Sequence, residues 1–230
     1  MIDKSQILNF KPEPQTIGDM KLIVPTSAPT IGNTTVSCSC GQSGKYSVIY
    51  ADPAWNTRYF KERKDGYLSR ELPYGGMSDD EIKALNVKEI VADDAILFLW
   101  VIDSKIPMIE EFMAAWGFNY KCVGFVWAKK AKTTNGVNAN FSSYTRRACE
   151  FCYIGTRGKY MVKKKNLEQF IFEPKREHSR KPDVIRDIIV EMMGEVPRLE
   201  MFARQEHKGW DAWGNEVSNS IKLNTGNNYS

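Results

Sequence analysis

The chain has 230 residues, 42% hydrophobic and 26% charged, with a formal net charge of +4, which leaves room for one α/β domain with a sizeable core and excludes a fibre or a disordered chain. Its longest apolar run, Ala95 to Ile102, is less than half the length a membrane helix needs, and five cysteines make an odd number for a disulfide framework. No apolar core follows a basic end in the opening MIDKSQILNFKPEPQ, so no secretory signal is expected, and a cytoplasmic protein without a membrane span is.

Residues 1–44, rich in Pro, Thr, Ser and Gly, read as an N-terminal arm rather than a domain. Tyr46 to Tyr50 is predicted as a buried strand. After a long loop, Ser78-Asp79-Asp80-Glu81 is a capping box, which starts a helix at Asp79 running to about Ala92. Ala95 to Ile102 is the next strand, too short and β-rich for a helix. A helix around Lys105 to Trp116 ends at Gly117, and Cys122 to Ala128 follows as a strand. Lys129 to Arg147 is a long polar loop, of the kind that is usually functional. Cys149 to Gly155 is a strand. Lys181-Pro182-Asp183 opens a helix with proline at its first position, running to about Met193. Val196 to Phe202 is the last strand, with GWDAWGNE behind it and a polar tail over 217–230. Strands alternating with helices specify an α/β fold, a mostly parallel sheet covered on both faces, over residues 45–216.

Cys38 and Cys40, with Cys149 and Cys152, could supply four thiolates to zinc. Cys-x-Cys is a poor spacing, however, and Cys149 and Cys152 sit in an apolar strand, so buried thiols and no metal are expected. Charge is unevenly placed. Between Lys121 and Lys181 there are 15 Lys or Arg against 4 Glu, and the rest of the chain is net acidic. Phe141, Tyr144, Tyr153, Tyr160 and Phe170 interleave with these cations. A solvated face would explain the run, but cations mixed with rings also suit nucleic acid, where they meet phosphates and bases.

In a mostly parallel sheet, ligands bind beyond the carboxyl ends of the strands. Asp52 to Trp55, Trp127 to Lys130, and Ala203 to Arg204 all fall there and are expected to cluster. There is no GxGxxG and no P-loop, so no phosphate cradle is written in the chain. The Asp52-Pro53-Ala54-Trp55 element suits an exocyclic amine on a base. The Asp carboxylate and the Pro carbonyl can accept both amine hydrogens, proline stiffens the turn, and the indole can stack on the base. Alone, Asp-Pro equally reads as the start of a turn.

Seven segments in order add to this: ADPAW, GGMSDDEIKAL, AILFLW, AAWGF before FVWAKK, EFCYIGTRG, REHSRKPDVI and LEMFARQEHKGWDAWGNE. Together they resemble the DPPW-type adenine N(6)-methyltransferases, the MT-A70 family. The resemblance implies an S-adenosylmethionine-dependent, Rossmann-like fold with permuted motif order. It places Asp52, Pro53 and Trp55 at the target amine, with Trp55 stacked on the adenine. Lys181 would reach the cofactor carboxylate, and Glu200, Arg204, Asn215 and Glu216 would line its ribose and adenine. Phe202 and Trp210 are read as core. Ala54 stands where family members usually carry a second proline; the role above needs only the Pro53 carbonyl, so activity is expected to survive.

The loops 56–76 and 129–147 would grip the strand, with Arg58, Lys61, Arg63, Lys64, Lys129, Lys130, Arg146 and Arg147 on phosphates, contributing affinity more than sequence choice. The short single-domain form resembles bacterial or phage DNA methyltransferases and favours DNA over RNA. A homo- or heterodimer stays open, since many relatives pair with a second subunit. Of the only histidines, His178 and His207, His178 lies beside the Lys181 element and is read as an exposed polar residue. Two rivals remain: a non-catalytic nucleic-acid-binding subunit, and methylation of another amine or amide, such as cytosine N4 or a glutamine side chain.

Overall fold

The computed structural model describes residues 45–56, 76–133, 136–142, 144–160, 162–176 and 180–223. The expectations for the arm, Cys38, Cys40, Arg58, Lys61, Arg63, Lys64, His178 and residues 224–230 lie outside them. Seven strands form one sheet in the order β5-β3-β4-β2-β1-β6-β7. They are β1 (Tyr46–Ala51), β2 (Val91–Val101), β3 (Asn119–Lys130), β4 (Cys149–Arg157), β5 (Phe170–Pro174), β6 (Arg198–Met201) and β7 (Asp211–Trp213).

β1 pairs in parallel with both β2 and β6, β6 with β7, and β3 with β5; only β4 runs against its neighbours β2 and β3. The sheet is thus mostly parallel, with one reversed strand. Its apolar strands are buried on both faces, as parallel sheets require. Ile49, Leu97, Leu99 and Leu199 pack on one face with the short helices α1 (Asp79–Ala84), α2 (Val87–Ile90) and α3 (Ile109–Ala115). Val48, Tyr50, Phe98, Trp100 and Trp127 pack on the other, under α4 (Val184–Met193). Each such side chain contributes about 1.5–3 kcal/mol on full burial.

The capping box forms: Ser78 N–H donates to Glu81 Oε2 at 2.7 Å and Glu81 N–H to Ser78 Oγ at 3.2 Å. The helix it starts does not reach Ala92. Leu85 turns extended at φ −60°, ψ 128°, α2 adds one further turn, and the chain enters β2 at Val91. The next expected helix splits into a 3-10 turn over Asp103–Met108, containing Pro107, and then α3. α4 begins at Val184 with Asp183 as its N-cap, so Pro182 lies just outside the helix instead of at its first position.

β5 and β7 are strands the sequence reading did not contain. Beyond Glu216, where a polar tail was expected, Ser220 N–H donates to Ala212 O at 2.8 Å, and Ile221 and Leu223 are buried in the core.

Candidate active site

β1 lies at the point where the chain order reverses, with β2 on one side and β6 on the other. Ala51 is in register with Leu99 and Met201, so the chain leaves the sheet at Asp52 beside the ends of both neighbours. A cavity of about 610 Å³ opens there, within the size range of small-molecule sites. Asp52, Trp55, Lys129, Lys181, Ala203, Arg204, Asn215 and Glu216 all line it. The three strand ends expected to cluster therefore do.

The floor is a chain of alternating charges. Lys181 Nζ lies 2.6 Å from Asp52 Oδ2 and 3.2 Å from Glu150 Oε2, and Lys129 Nζ lies 2.6 Å from Glu150 Oε1. The Lys181 ammonium also sits 5.1 Å from the centre of the Trp100 ring. Desolvation raises the Asp52 carboxyl above its ordinary range and outweighs the pull of Lys181. For Lys181, desolvation works downward, but the charges of Asp52 and Glu150 win and hold it charged. Glu150 is likewise desolvated, yet Lys181 and Lys129 keep it below its usual value.

Two expected roles change here. Lys129, assigned to phosphate, is buried at 8% exposure, because its place on β3 turns it under the cavity toward Glu150. Glu150 itself was missed. β4 runs backward, so its first residues, not its last, arrive at the carboxyl edge of the other strands. The signal available was an acid within an apolar strand, which is costly unless paired.

The turn after Asp52 is held tightly. Trp55 N–H donates to Pro53 O at 2.8 Å, Met77 N–H to Ala54 O at 2.8 Å, and Asn56 N–H to Met77 O at 3.1 Å. A Cβ at Gly76 would stand 2.8 Å from Asn56 Cα, so only glycine permits this approach. The Trp55 ring, expected to stack on adenine, is instead 4% exposed. It meets Phe112 edge-on at 4.8 Å, and its Nε1–H donates to Trp100 O at 3.1 Å. A buried indole needs a partner for its N–H, and the end of β2 supplies one.

Opposite Asp52, Phe202 adopts a left-handed φ of 62° and packs edge-on against Trp213 at 5.3 Å, lining the cavity as well as joining the core. At Gly214 a Cβ would lie 2.1 Å from Ala203 O, so a glycine lets Ala203 N–H reach Trp213 O at 3.0 Å. This brings Arg204 beside Glu216, at 3.6 Å. Glu200 is not among the residues lining the cavity. It faces α4, where Arg186 donates to Oε1 at 2.9 Å while Oε2 is buried without a hydrogen-bond partner among the described residues. Burial pushes its carboxyl up to about 7 against the pull of Arg186.

Of the remaining expected residues, Lys130 lies 5.8 Å over the Phe172 ring, Arg146 lies 5.8 Å over Phe141, and Arg147 pairs with Asp103 at 3.1 Å. Cys152 is a buried thiol, as read; Cys149 is half-buried and lines the cavity. His207 is half-buried, and desolvation lowers its pKa. Trp210 is buried. Among the described residues no cluster of His, Cys, Asp or Glu could hold a metal ion, and no helix is long and apolar enough to cross a membrane.

Comparison with known proteins agrees with this geometry. The MT-A70 family profile matches residues 46–216. The chain is 32% identical over 198 residues to the Type II methyltransferase M.MunI of Mycoplasma sp, covering 79% of this chain and 82% of that one. It is 29% identical over 186 residues to an N(6)-adenosine-methyltransferase MT-A70-like protein of Arabidopsis thaliana, and 27% over 178 residues to the N(6)-adenosine-methyltransferase catalytic subunit METTL3 of Homo sapiens. These two matches cover 80% and 76% of this chain but only 25% and 28% of the relatives. A cavity at the carboxyl ends of a mostly parallel sheet, the Asp52-Pro53 turn on its floor, and a profile match across the whole described sheet lead to one conclusion: the chain belongs to the MT-A70 family.

Proposed function

We propose that the chain transfers a methyl group from S-adenosylmethionine to the N(6) amine of adenine in DNA. The observation that carries this reading is the Asp52–Lys181 pair of 2.6 Å at the cavity floor, beside the carbonyl of Pro53. Lys181 holds one carboxylate oxygen of Asp52, and the other is offered to the amine. Pro53 O already accepts the Trp55 N–H, which fixes its direction while a second lone pair stays available. Two acceptors on the two amine hydrogens favour a pyramidal nitrogen, whose lone pair is withdrawn from the ring's π system and localised for attack. When nitrogen gains the methyl it must lose a proton, and Asp52, raised above the usual carboxylate range, is placed to accept it.

The residues fit the cofactor. An ammonium has three N–H donors, of which Asp52 and Glu150 occupy two at Lys181, leaving one for the cofactor carboxylate. Arg204, Asn215 and Glu216, which line the cavity, would bind its remainder, while Glu200, turned toward Arg186 of α4, stays outside the cofactor set. S-adenosylmethionine supplies the methyl group as an electrophile on its sulfonium. DNA is favoured over RNA because the match to the Type II methyltransferase is 32% identical, against 29% and 27% for the adenosine methyltransferases. Arg147, which lines the cavity, Arg146 over the Phe141 ring, and Lys130 on β3 are assigned to phosphates.

The test is methyl transfer from labelled S-adenosylmethionine to single-stranded DNA, duplex DNA and RNA, followed by nucleoside analysis, with Asp52→Ala alongside. N(6)-methyladenine in DNA, lost in the variant, supports the reading. Methylcytosine or cofactor binding without any methylation would overturn it in favour of another amine or a non-catalytic subunit.

A further inference from the structure

Two aromatic rings stand almost wholly in water near one another in sequence, and one of them, Phe141, lines the cavity. In the connection between β3 and β4, Phe141 is 92% exposed and Tyr144 96%. The foot of this connection is braced. Ala131 N–H donates to Gly136 O at 2.8 Å, Lys130 and Val137 form a bridge, and Asn140 and Arg147 exchange N–H···O bonds of 2.8 and 2.9 Å. Arg147 Nε is tied to Asp103 Oδ2 at 3.1 Å, on the turn that follows β2. The rings are therefore carried on a fixed support, and Phe141 with Asn140 and Arg147 lines the mouth of the cavity.

Charge narrows what can meet these rings. From Ala131 to Cys149 the chain has Lys132, Arg146 and Arg147 and no acidic residue, and the Arg146 guanidinium lies 5.8 Å over the Phe141 ring. A polyanion whose units present flat apolar faces is complementary to both features. An adenine in a duplex must also leave its stack to reach the cavity floor, and its neighbours then lose a stacking partner. Apolar side chains inserted between base steps are a known way of filling such a gap.

We infer that Phe141, backed by Tyr144, stacks on the base adjoining the target adenine once that adenine has turned into the cavity, with Arg146 at the neighbouring phosphate. This rests on the adenine-methylation reading above. It deepens that reading by making Phe141 a positioning residue for base extrusion rather than for the amine.

The experiment compares the native chain, Phe141→Ala and Phe141→Trp on a duplex with a paired target adenine, the same duplex with an abasic site opposite the target, and the single strand. S-adenosylmethionine binding by calorimetry serves as the control for folding. For Phe141→Ala, kcat/KM on the paired duplex is expected to fall by about tenfold or more, the effect of losing one base–aromatic stack. On the abasic duplex and the single strand it should change little, cofactor binding should be unchanged, and Phe141→Trp should restore the paired duplex. With 2-aminopurine replacing the target, the fluorescence rise on binding should shrink for Phe141→Ala on the paired duplex only.

Equal activity of Phe141→Ala and native chain on the paired duplex, or equal loss on all three substrates, overturns the inference. So does a self-associated chain that Phe141→Ala dissociates, since the rings would then belong to an interface between copies. Methylation of single strands alone by the native chain overturns base extrusion while leaving adenine methylation standing. Absence of methylation on every substrate removes the functional reading and this inference with it.

Discussion

Asp52 and Lys181, separated by 129 residues of sequence, meet at 2.6 Å on the cavity floor. Both pKa values are raised, for different reasons: at Asp52 desolvation outweighs the pull of Lys181, whereas at Lys181 the charges of Asp52 and Glu150 outweigh desolvation. Asp52→Asn preserves the volume and removes the proton acceptor, so kcat should drop by roughly 10²–10⁴-fold with cofactor binding retained. Lys181→Met should weaken S-adenosylmethionine binding and also destabilise the fold by about 1–3 kcal/mol, less than for a fully buried pair because the Asp52 side chain is 37% exposed. Calorimetry and urea unfolding on both variants check this; unchanged cofactor affinity in Lys181→Met would remove the assigned role.

The Trp55 ring is packed into the core and tied to the end of β2. Trp55→Ala should cost about 3–5 kcal/mol of stability, and Trp55→Phe about 1–3 kcal/mol through the buried Trp100 carbonyl left without its donor. Urea midpoints measure both. If stacking on adenine were the main role of this ring, Trp55→Phe would instead raise KM with stability intact.

Two carboxyls at the start of α4 give stability pH dependences of opposite sign. Desolvation works to raise Asp183, but hydrogen bonds from Arg180 and Arg176 and the charge of Arg186 hold it at about 2, below its ordinary 3.8. The folded chain then binds fewer protons than the unfolded one, so this stabilisation is present above pH 3.8 and is lost as pH falls toward about 2. Glu200, raised from 4.5 to about 7 by desolvation, binds more protons folded than unfolded. Its contribution is full below pH 4.5 and is lost as pH rises through about 7. Unfolding temperature against pH should lose its acid limb in Asp183→Asn and its decline toward neutral pH in Glu200→Gln. Slopes unchanged from the native chain would contradict both assignments.

Gly214 is where the strand ends at the cofactor side depend on a missing side chain. In Gly214→Ala the new Cβ meets the backbone of Ala203, which cannot swing aside, so β7 must shift. A loss of about 1–3 kcal/mol and weaker cofactor binding through Arg204 and Asn215 are expected, read by thermal unfolding and calorimetry. Unaltered cofactor affinity in a destabilised variant would confine Gly214 to a structural role.

The alternation of apolar runs and helical segments was enough to specify a mostly parallel sheet, and local chemistry was enough for the Ser78–Glu81 capping box. The Asp52-Pro53 turn and Lys181 were singled out because the seven segments lie in order along the chain, Lys181 for the cofactor carboxylate and not as the partner of Asp52. These are signals carried by neighbouring residues. β7 has only three residues and β5 five, too few for a pattern to emerge, and they are strands because β6 and β3 offer them edges. The direction of β4 is likewise absent from its composition, since an apolar strand reads the same either way. That reversal decides that Glu150 joins Lys181 and that Lys129 turns under the cavity away from phosphate. Trp55 shows the same limit: the sequence puts an indole after Asp-Pro, but only the fold sets the Trp100 carbonyl at its N–H and Phe112 in edge contact with it. Sequence therefore picked out Asp52, Pro53 and Lys181 as candidates, through motif order. Tertiary structure decided which of them face one another, because burial and hydrogen-bond satisfaction are settled between strands distant in the chain.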